Sequence, residues 1–201
     1  MDYKSETRRA YDTYPERFGE YFGDYFKKYL APTADAFTHF VRGPKILDLG
    51  SGGGDHAAYF RDKGLAVHCI DISPEMVRLC REKGLSAEVM DIEDLSLPPQ
   101  SFDGIWANAS FLHIPRMQLP LAIARTAALL TPKGVLFVAM KEGEHEGFEE
   151  NQKYPGTPRW FTHFTEADME RFFSPHFETI YHFRHNVKGK FTFLNYFFRL
   201  K

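Results

Sequence analysis

Ten consecutive residues set the topology of this chain: Lys45-Ile46-Leu47-Asp48-Leu49-Gly50-Ser51-Gly52-Gly53-Gly54. The first five residues are mostly apolar and predict a short buried strand, which runs directly into a turn rich in glycine. An amphipathic segment follows from Asp55 to Lys63 and stops at Gly64, which predicts a helix. Strand, glycine turn and helix together form the first half of a nucleotide-binding βαβ unit.

The spacing of the glycines distinguishes between nucleotides. The pattern is D-x-G-x-G-x-G, whereas the dinucleotide fingerprint G-x-G-x-x-G requires glycine or alanine where this chain has Asp55. Asp48 and Asp55 would place two carboxylates beside a pyrophosphate, which disfavours a nicotinamide dehydrogenase. A carboxylate suits a ligand that carries an ammonium and a sulfonium group, and S-adenosylmethionine is such a ligand.

Length and composition predict one ordinary globular domain over residues 1–201. The chain is 43% hydrophobic and 26% charged, and its net charge of −2 creates no field that recruits nucleic acid or a membrane surface. Its two cysteines lack the spacing of a metal site or a disulfide framework. Because residues 1–9 lack a signal-peptide pattern and the longest apolar run is too short to span a membrane, we expect a cytoplasmic protein.

Predicted strands alternate with predicted helices, which indicates a doubly wound parallel sheet with helices on both faces. Aromatic residues at spacings of three and four predict helices in residues 3–40. Later helices are predicted from Pro74, at Gln118–Leu130 and at Thr165–Phe173. The strands predicted after the first are Ala66–Asp71, Ala87–Ile92, Phe102–Asn108, Val135–Met140, Phe177–Phe183 and Phe191–Phe198.

The glycine turn and the acidic residues after the next strands resemble those of class I S-adenosylmethionine-dependent methyltransferases. The tail, a helix followed by a hairpin, is similar to the way in which the sheet of this family ends. The resemblance covers roughly residues 40–200. It implies a Rossmann-like fold with a seven-stranded, mostly parallel sheet whose last strand is antiparallel. Within the family, the chain is most similar to the quinone-biosynthesis and tellurite-resistance types.

Ligands of an open α/β sheet bind outside the carboxyl ends of its strands, where this chain has polar residues. Asp71 can accept from both hydroxyls of a ribose, and Asp91 from the adenine amino group while Ile92 packs on the ring. The resemblance implies the same roles and places Met76 under the adenine. The predicted cofactor-binding residues are Tyr11, Asp48, Gly50, Ser51, Gly52, Asp71, Ile72, Met76, Asp91, Ile92, Asn108, Ala109 and Ser110.

The N-terminal segment, residues 1–40, is predicted to be a helical cap over the cofactor. Tyr11-Asp12 with Phe18 partly resembles the Y-D-x-x-A-x-x-Y segment that precedes the glycine turn in small-molecule methyltransferases, although Pro15 replaces the alanine and Phe18 the second tyrosine. The alternative is a helix that only packs on the domain.

The residues after the fourth strand bear on the chemistry. Methyltransferases that act on the amino groups of adenine and glutamine resemble one another through an N/D-P-P-Y/F motif at this position. Asn108-Ala109-Ser110-Phe111 lacks its prolines, which disfavours an exocyclic amine of a base as acceptor. His113 follows at the ligand edge and is predicted to be a general base or a substrate contact, because histidine titrates near neutrality. The alternative is a loop histidine that caps backbone groups or touches the cofactor.

Residues 141–164, after the fifth strand, are predicted to be a substrate lid, with a structural loop as the alternative. They contain no H-E-x-x-H motif, because Glu149 stands four residues after His145, so we expect no metal site. Tyr154, Arg159 and Trp160 are the predicted substrate contacts. Arg159 could pair with an acidic group, and Trp160 could stack.

These patterns predict transfer of a methyl group from S-adenosylmethionine to a small molecule by in-line displacement, which releases S-adenosylhomocysteine. One alternative acceptor is RNA, such as a modified tRNA base. That acceptor requires a basic face, and the available cluster is Arg184, His185, Lys188, Lys190 and Arg199. Another alternative is a non-catalytic module that binds S-adenosylmethionine. The sequence predicts neither the acceptor atom nor the oligomeric state.

Overall fold

The computed structural model describes residues 2–201, which form a seven-stranded sheet and a separate two-stranded sheet. The strands in chain order are β1 (Lys45–Leu49), β2 (Ala66–Asp71), β3 (Ser86–Val89), β4 (Phe102–Asn108), β5 (Leu130–Lys141), β6 (Glu146–Asn151), β7 (Tyr154–Thr162), β8 (Phe177–Val187) and β9 (Phe191–Leu200). The large sheet has the order β3-β2-β1-β4-β5-β9-β8, and β6 pairs with β7 in the small one.

Helices cover both faces of the large sheet. They are α1 (Tyr3–Thr13), α2 (Pro15–Tyr25), α3 (Ala31–Phe40), α4 (Asp55–Asp62), α5 (Pro74–Glu82), α6 (Leu119–Leu129) and α7 (Glu166–Phe173). A π-helical segment, Phe26–Leu30, joins α2 to α3. Within residues 2–201, none of the helices combines the length and the apolar character that crossing a membrane requires.

The pairing of the strands confirms the predicted doubly wound sheet. β1 pairs in parallel with β2 on one side and with β4 on the other, and β4 pairs in parallel with β5. β9, the last strand, is antiparallel to both of its neighbours, β5 and β8. The strand order therefore reverses between β1 and β4, and the crevice at the carboxyl ends of these strands is where such sheets bind ligands.

The core lies on both faces of this sheet. Successive residues of a strand point to opposite faces, so Ile46 joins one apolar cluster and Leu47 the other. On the Ile46 face, Trp106 of β4 packs edge-on against Phe37 of α3 and Phe60 of α4, with ring centroids 5.3 Å apart in both pairs. The opposite face is covered by α6 and α7.

Several elements differ from their predicted bounds, β5 among them, since it begins at Leu130 and not at Val135. β3 ends at Val89, so Asp91 does not end a strand but starts a short 3₁₀ turn, Ile92–Asp94. β8 continues to Val187 through residues predicted as a hairpin loop, which shortens that loop to residues 188–190. The charged segment after β5 is not a loop, because β6 and β7 form an antiparallel hairpin there.

Candidate functional site

A cavity of about 420 Å³ lies at the carboxyl ends of β1, β2 and β4, and its size is typical of small-molecule sites. The glycine turn forms part of its floor, while α1, α2 and the β6–β7 hairpin contribute the opposite walls. The structure brings most of the predicted cofactor-binding residues into its lining: Tyr11, Gly50, Ser51, Gly52, Asp71, Ile72, Asp91, Ile92, Asn108, Ala109 and Ser110.

The glycine turn requires glycine for two physical reasons. Gly50 has φ = +75°, a left-handed conformation that glycine adopts without steric cost. A Cβ at Gly50 would also lie 2.5 Å from the Cβ of Ser110. The turn is held against the end of β2, because the amides of Gly50 and Ser51 donate to the carbonyl of Ile70 at 2.9 and 3.0 Å.

Asp71 anchors the turn from β2. One carboxylate oxygen accepts from the amide of Gly52 and the other from the amide of Ser73, both at 2.9 Å. Burial raises the pKa of Asp71 to about 6, although the two amide donors oppose this shift. At neutral pH the group is therefore a carboxylate, and each oxygen keeps a second lone pair for a ligand hydroxyl.

Asp48 and Met76 are the two predicted cofactor contacts that the structure does not bring into the cavity wall. Asp48 lies on the Ile46 side of β1, 1% exposed, where burial raises its pKa well above the usual value. Its place behind the turn does not support the predicted contact with an ammonium group. Met76 is fully buried and packs with Phe18 and Tyr154 instead.

At the Asp91 end of the cavity, a cation from α1 approaches two acidic side chains. Lys4 Nζ lies 2.6 Å from Asp91 and 3.3 Å from Glu93. The hydroxyl of Tyr3 also donates to Glu93, at 2.6 Å. Sequence analysis missed Lys4, because a lysine in a charged N-terminal segment gives no signal that separates it from a solvated one.

His113 is held by hydrogen bonds at both ring nitrogens. Nδ1 lies 2.6 Å from the carbonyl oxygen of Trp160, and Nε2 lies 2.8 Å from the hydroxyl of Tyr11. A carbonyl only accepts, so Nδ1 carries the proton and Nε2 accepts from Tyr11. Burial, with the charge of Arg159, lowers the pKa of His113 to about 3, so the ring is neutral at physiological pH.

Arg159 joins this network, since its Nη1 donates to the oxygen of Tyr11 at 3.0 Å. Its guanidinium lies 5.4, 5.0 and 5.1 Å from the ring centroids of Tyr11, Phe18 and Phe161. Across residues 2–201, no carboxylate lies within 4 Å of it. A partly buried guanidinium without a counter-ion is well suited to a negatively charged ligand group.

The other two predicted substrate residues lie on different sides of the hairpin. Tyr154 lines the cavity and stacks on Phe18, with ring centroids 4.0 Å apart. The side chain of Trp160 is outside the cavity lining, and its Nε1 donates to Thr162 at 3.0 Å. Alternation along β7 accounts for the orientation of Trp160, because its neighbours Arg159 and Phe161 face the cavity and the residue between them faces away.

His56 is a lining residue that sequence analysis missed. Its Nδ1 accepts from the indole N–H of Trp106 at 3.2 Å, and burial lowers its pKa to about 3. The neutral ring therefore carries its proton on Nε2. Its position could have predicted this role, because the first turn of a helix that follows a glycine turn lies close to the ligand.

Comparison with known proteins agrees with this geometry. Residues 46–134 match a family model described as a methyltransferase domain. A ubiquinone biosynthesis O-methyltransferase of Xanthomonas campestris pv. campestris is 36% identical over 105 residues, which cover 48% of this chain and 43% of that protein. The chain is therefore similar to methyltransferases over about half of its length. It spans less than half of the length of the curated relatives that it matches.

Solved structures of methyltransferases share the fold of this chain. The 1,6-didemethyltoxoflavin-N1-methyltransferase of Burkholderia thailandensis, which holds 1,6-didemethyltoxoflavin and S-adenosylhomocysteine, has a TM-score of 0.70 and 24% identity, covering 85% of this chain and 77% of its own. A methyltransferase from Methanosarcina mazei has a TM-score of 0.74 and 18% identity, covering 82% of this chain and 96% of its own. The Rossmann-like methyltransferase fold is therefore shared.

Proposed function

We propose that this protein transfers a methyl group from S-adenosylmethionine to a small-molecule acceptor. The observation that carries the proposal is the anchored turn: Gly50 leaves no room for a side chain, and Asp71 holds Gly52 while keeping lone pairs free. A carboxylate with two such oxygens suits the paired hydroxyls of a ribose. When bound, the cofactor supplies an electrophilic methyl group on a sulfonium.

The lining residues are assigned to the parts of the cofactor in the order predicted along the sheet. We assign the ribose to Asp71 and the adenine to Ile72, Ile92 and Asp91. The methionine part would lie over residues 50–52 and 108–110, where backbone can approach it closely. Asp91 meets the adenine only if its carboxylate serves both Lys4 and the ligand, since Lys4 already lies 2.6 Å away.

The acceptor would bind at the other end of the cavity, where the lining is aromatic. We assign Tyr154 and Arg159 to acceptor binding and His113 to proton removal. The residues 1–40 would act as the cap and residues 141–164 as the lid, because both segments contribute cavity walls. Enclosure by these segments would align the reactants and exclude water.

A quinol is the first acceptor class to test, because the matched relative is a ubiquinone biosynthesis O-methyltransferase. Thiols and oxyanions follow, since the cavity does not by itself specify the acceptor atom. An RNA acceptor is less well supported, because Arg184 of the basic cluster forms an ion pair with Glu142. We also propose a cytoplasmic location, which cell fractionation would test.

The first experiment is calorimetric titration of the protein with S-adenosylhomocysteine, with NAD as the control ligand. We expect micromolar binding of S-adenosylhomocysteine and none of NAD. Methyl transfer would then be screened with quinols, thiols and oxyanions. His113→Ala should leave the affinity for S-adenosylhomocysteine within about twofold while lowering turnover roughly 10²–10⁴-fold, the usual contribution of a general base. Binding of NAD alone would refute the proposed function.

A further inference from the structure

The hydrogen bonds of His113 leave it no free nitrogen for an acceptor. Nδ1–H donates to the carbonyl of Trp160, and the lone pair of Nε2 is taken by the hydroxyl of Tyr11. A neutral imidazole has one donor and one acceptor, so both are used. In this arrangement His113 does not receive a proton from a ligand directly.

The oxygen of Tyr11, in contrast, has an unused position. It donates to His113 and accepts from Arg159, and a phenolic oxygen keeps a second lone pair. Tyr11 lines the cavity together with His113 and Arg159. The group that is available to a hydroxyl in the cavity is therefore the phenol, with the imidazole behind it.

We propose that Tyr11 takes the proton of the acceptor and passes its own proton to His113, so that the two residues act as one relay. This inference rests on the proposed methyl transfer. The O–H bond of the acceptor breaks and a new O–H bond forms on Tyr11, while the original proton of Tyr11 moves to Nε2 of His113. Tyr11 ends as a neutral phenol, and the electron pair left on the acceptor is the nucleophile for the methyl group.

Burial and the charge of Arg159 by themselves disfavour a cationic His113, so the relay requires the oxyanion that it creates as a counter-charge. The proton moves within the site, so the total charge of the cavity does not change. His113 as a cation keeps the Trp160 carbonyl as its acceptor, and the new oxyanion lies near the guanidinium of Arg159. Lys141 also lines the cavity, but Glu149 lies 2.7 Å from it and compensates its charge. Of these two cations, Arg159 is therefore the one whose charge is left to stabilise the oxyanion.

The test follows the proton on His113 itself. The protein, labelled with ¹⁵N-histidine and saturated with S-adenosylhomocysteine, would be titrated with 4-nitrophenol, an acidic hydroxyl whose absorbance reports its ionisation. We expect the probe to bind as phenolate while the His113 signals change from one protonated nitrogen to two. His113→Asn assigns those signals by their loss.

Two variants separate the relay from a structural role. In Tyr11→Phe, His113 should stay neutral when the probe is present, because the phenol that joins the bound phenolate to Nε2 through hydrogen bonds, and so stabilises the ion pair, is gone. Tyr14→Phe is the matched control, since its hydroxyl makes only a 3.5 Å contact with the carbonyl of Pro155, and it should behave as wild type. A probe that fails to bind, or that leaves the His113 signals unchanged in the wild type, would overturn the relay.

The same protein samples distinguish failure of the relay from failure of the proposed function. Titration with S-adenosylhomocysteine does not involve the proton path, so it should succeed in the wild type and in Tyr14→Phe. Tyr11 is itself a predicted cofactor contact, so Tyr11→Phe is examined at a concentration of S-adenosylhomocysteine that the same titration shows to be saturating. Binding of S-adenosylhomocysteine with no response of His113 removes the relay alone. Absence of that binding removes the proposed methyl transfer and the relay with it.

Discussion

The ionisation of Asp71 is expected to make the affinity for the cofactor depend on pH. Ribose hydroxyls donate to a carboxylate, so binding requires the deprotonated form of a group whose pKa burial raises to about 6. The affinity for S-adenosylhomocysteine should be full above that pH and fall roughly tenfold by about pH 5, as linkage requires. Calorimetric titration between pH 5 and 8 measures this.

Asp71→Asn provides the comparison for that profile. The amide has one acceptor oxygen instead of two, so we expect affinity about 10–100-fold lower at neutral pH. Its binding should no longer change across the same pH range. A wild-type profile that is flat, or a variant that retains the slope, would contradict the assignment of the ribose to Asp71.

At the residue scale, the sequence predicted the cavity-lining residues correctly where a motif or a polar residue stands at the end of a strand. Gly50, Asp71 and Ser110 were found for this reason. It failed where orientation matters, because spacing along a chain does not say on which side of β7 Trp160 lies. The contact between Tyr11 and His113 joins residues 102 positions apart, and such a pairing follows from tertiary packing alone.

Among the elements, α5 depends on one buried serine. Ser73 accepts from the amide of Met76 at 3.1 Å and donates to Asp12 at 2.6 Å, so it caps α5 and ties it to α1. Ser73→Ala should cost about 1–3 kcal/mol, because the cap and a charged partner are both lost. At about 2–4 °C per kcal/mol for a chain of this size, the melting temperature should fall by roughly 2–12 °C.

Thermal unfolding followed by circular dichroism would check this value. Ser96→Ala is a suitable control, since Ser96 is exposed and lies outside every helix and strand of residues 2–201. It should change the melting temperature by less than about 2 °C. Equal effects of the two substitutions would mean that the cap of α5 contributes nothing specific.

The strands differ in how clearly their amino-acid sequences predict them. β1, β2 and β4 have the predicted bounds, because buried parallel strands are apolar runs that end at turns. The β6–β7 hairpin was missed, since β6 is Glu146–Asn151, whose acidic residues give little strand signal. Pairing with β7 stabilises this segment, and pairing partners are not visible in a local pattern.

For the whole molecule, ligand binding and unfolding are linked. A ligand that binds only the folded state stabilises it by about 2.7 kcal/mol at a hundred times its dissociation constant. S-adenosylhomocysteine at that concentration should therefore raise the melting temperature by roughly 5–11 °C. NAD at the same concentration should leave it unchanged. Differential scanning calorimetry measures both, and an equal shift with the two ligands would indicate non-specific stabilisation.

The eleven-residue helix α1 touches the cavity at both of its ends. Lys4 reaches Asp91 at one end, and Tyr11 meets His113 at the other. Between them, Thr7 accepts a hydrogen bond from the amide of Trp160. One helix therefore contacts both the end of the cavity that is assigned to the cofactor and the end that is assigned to the acceptor. If α1 couples the two ends of the cavity, S-adenosylhomocysteine and the methylated product must each change the affinity for the other by the same factor.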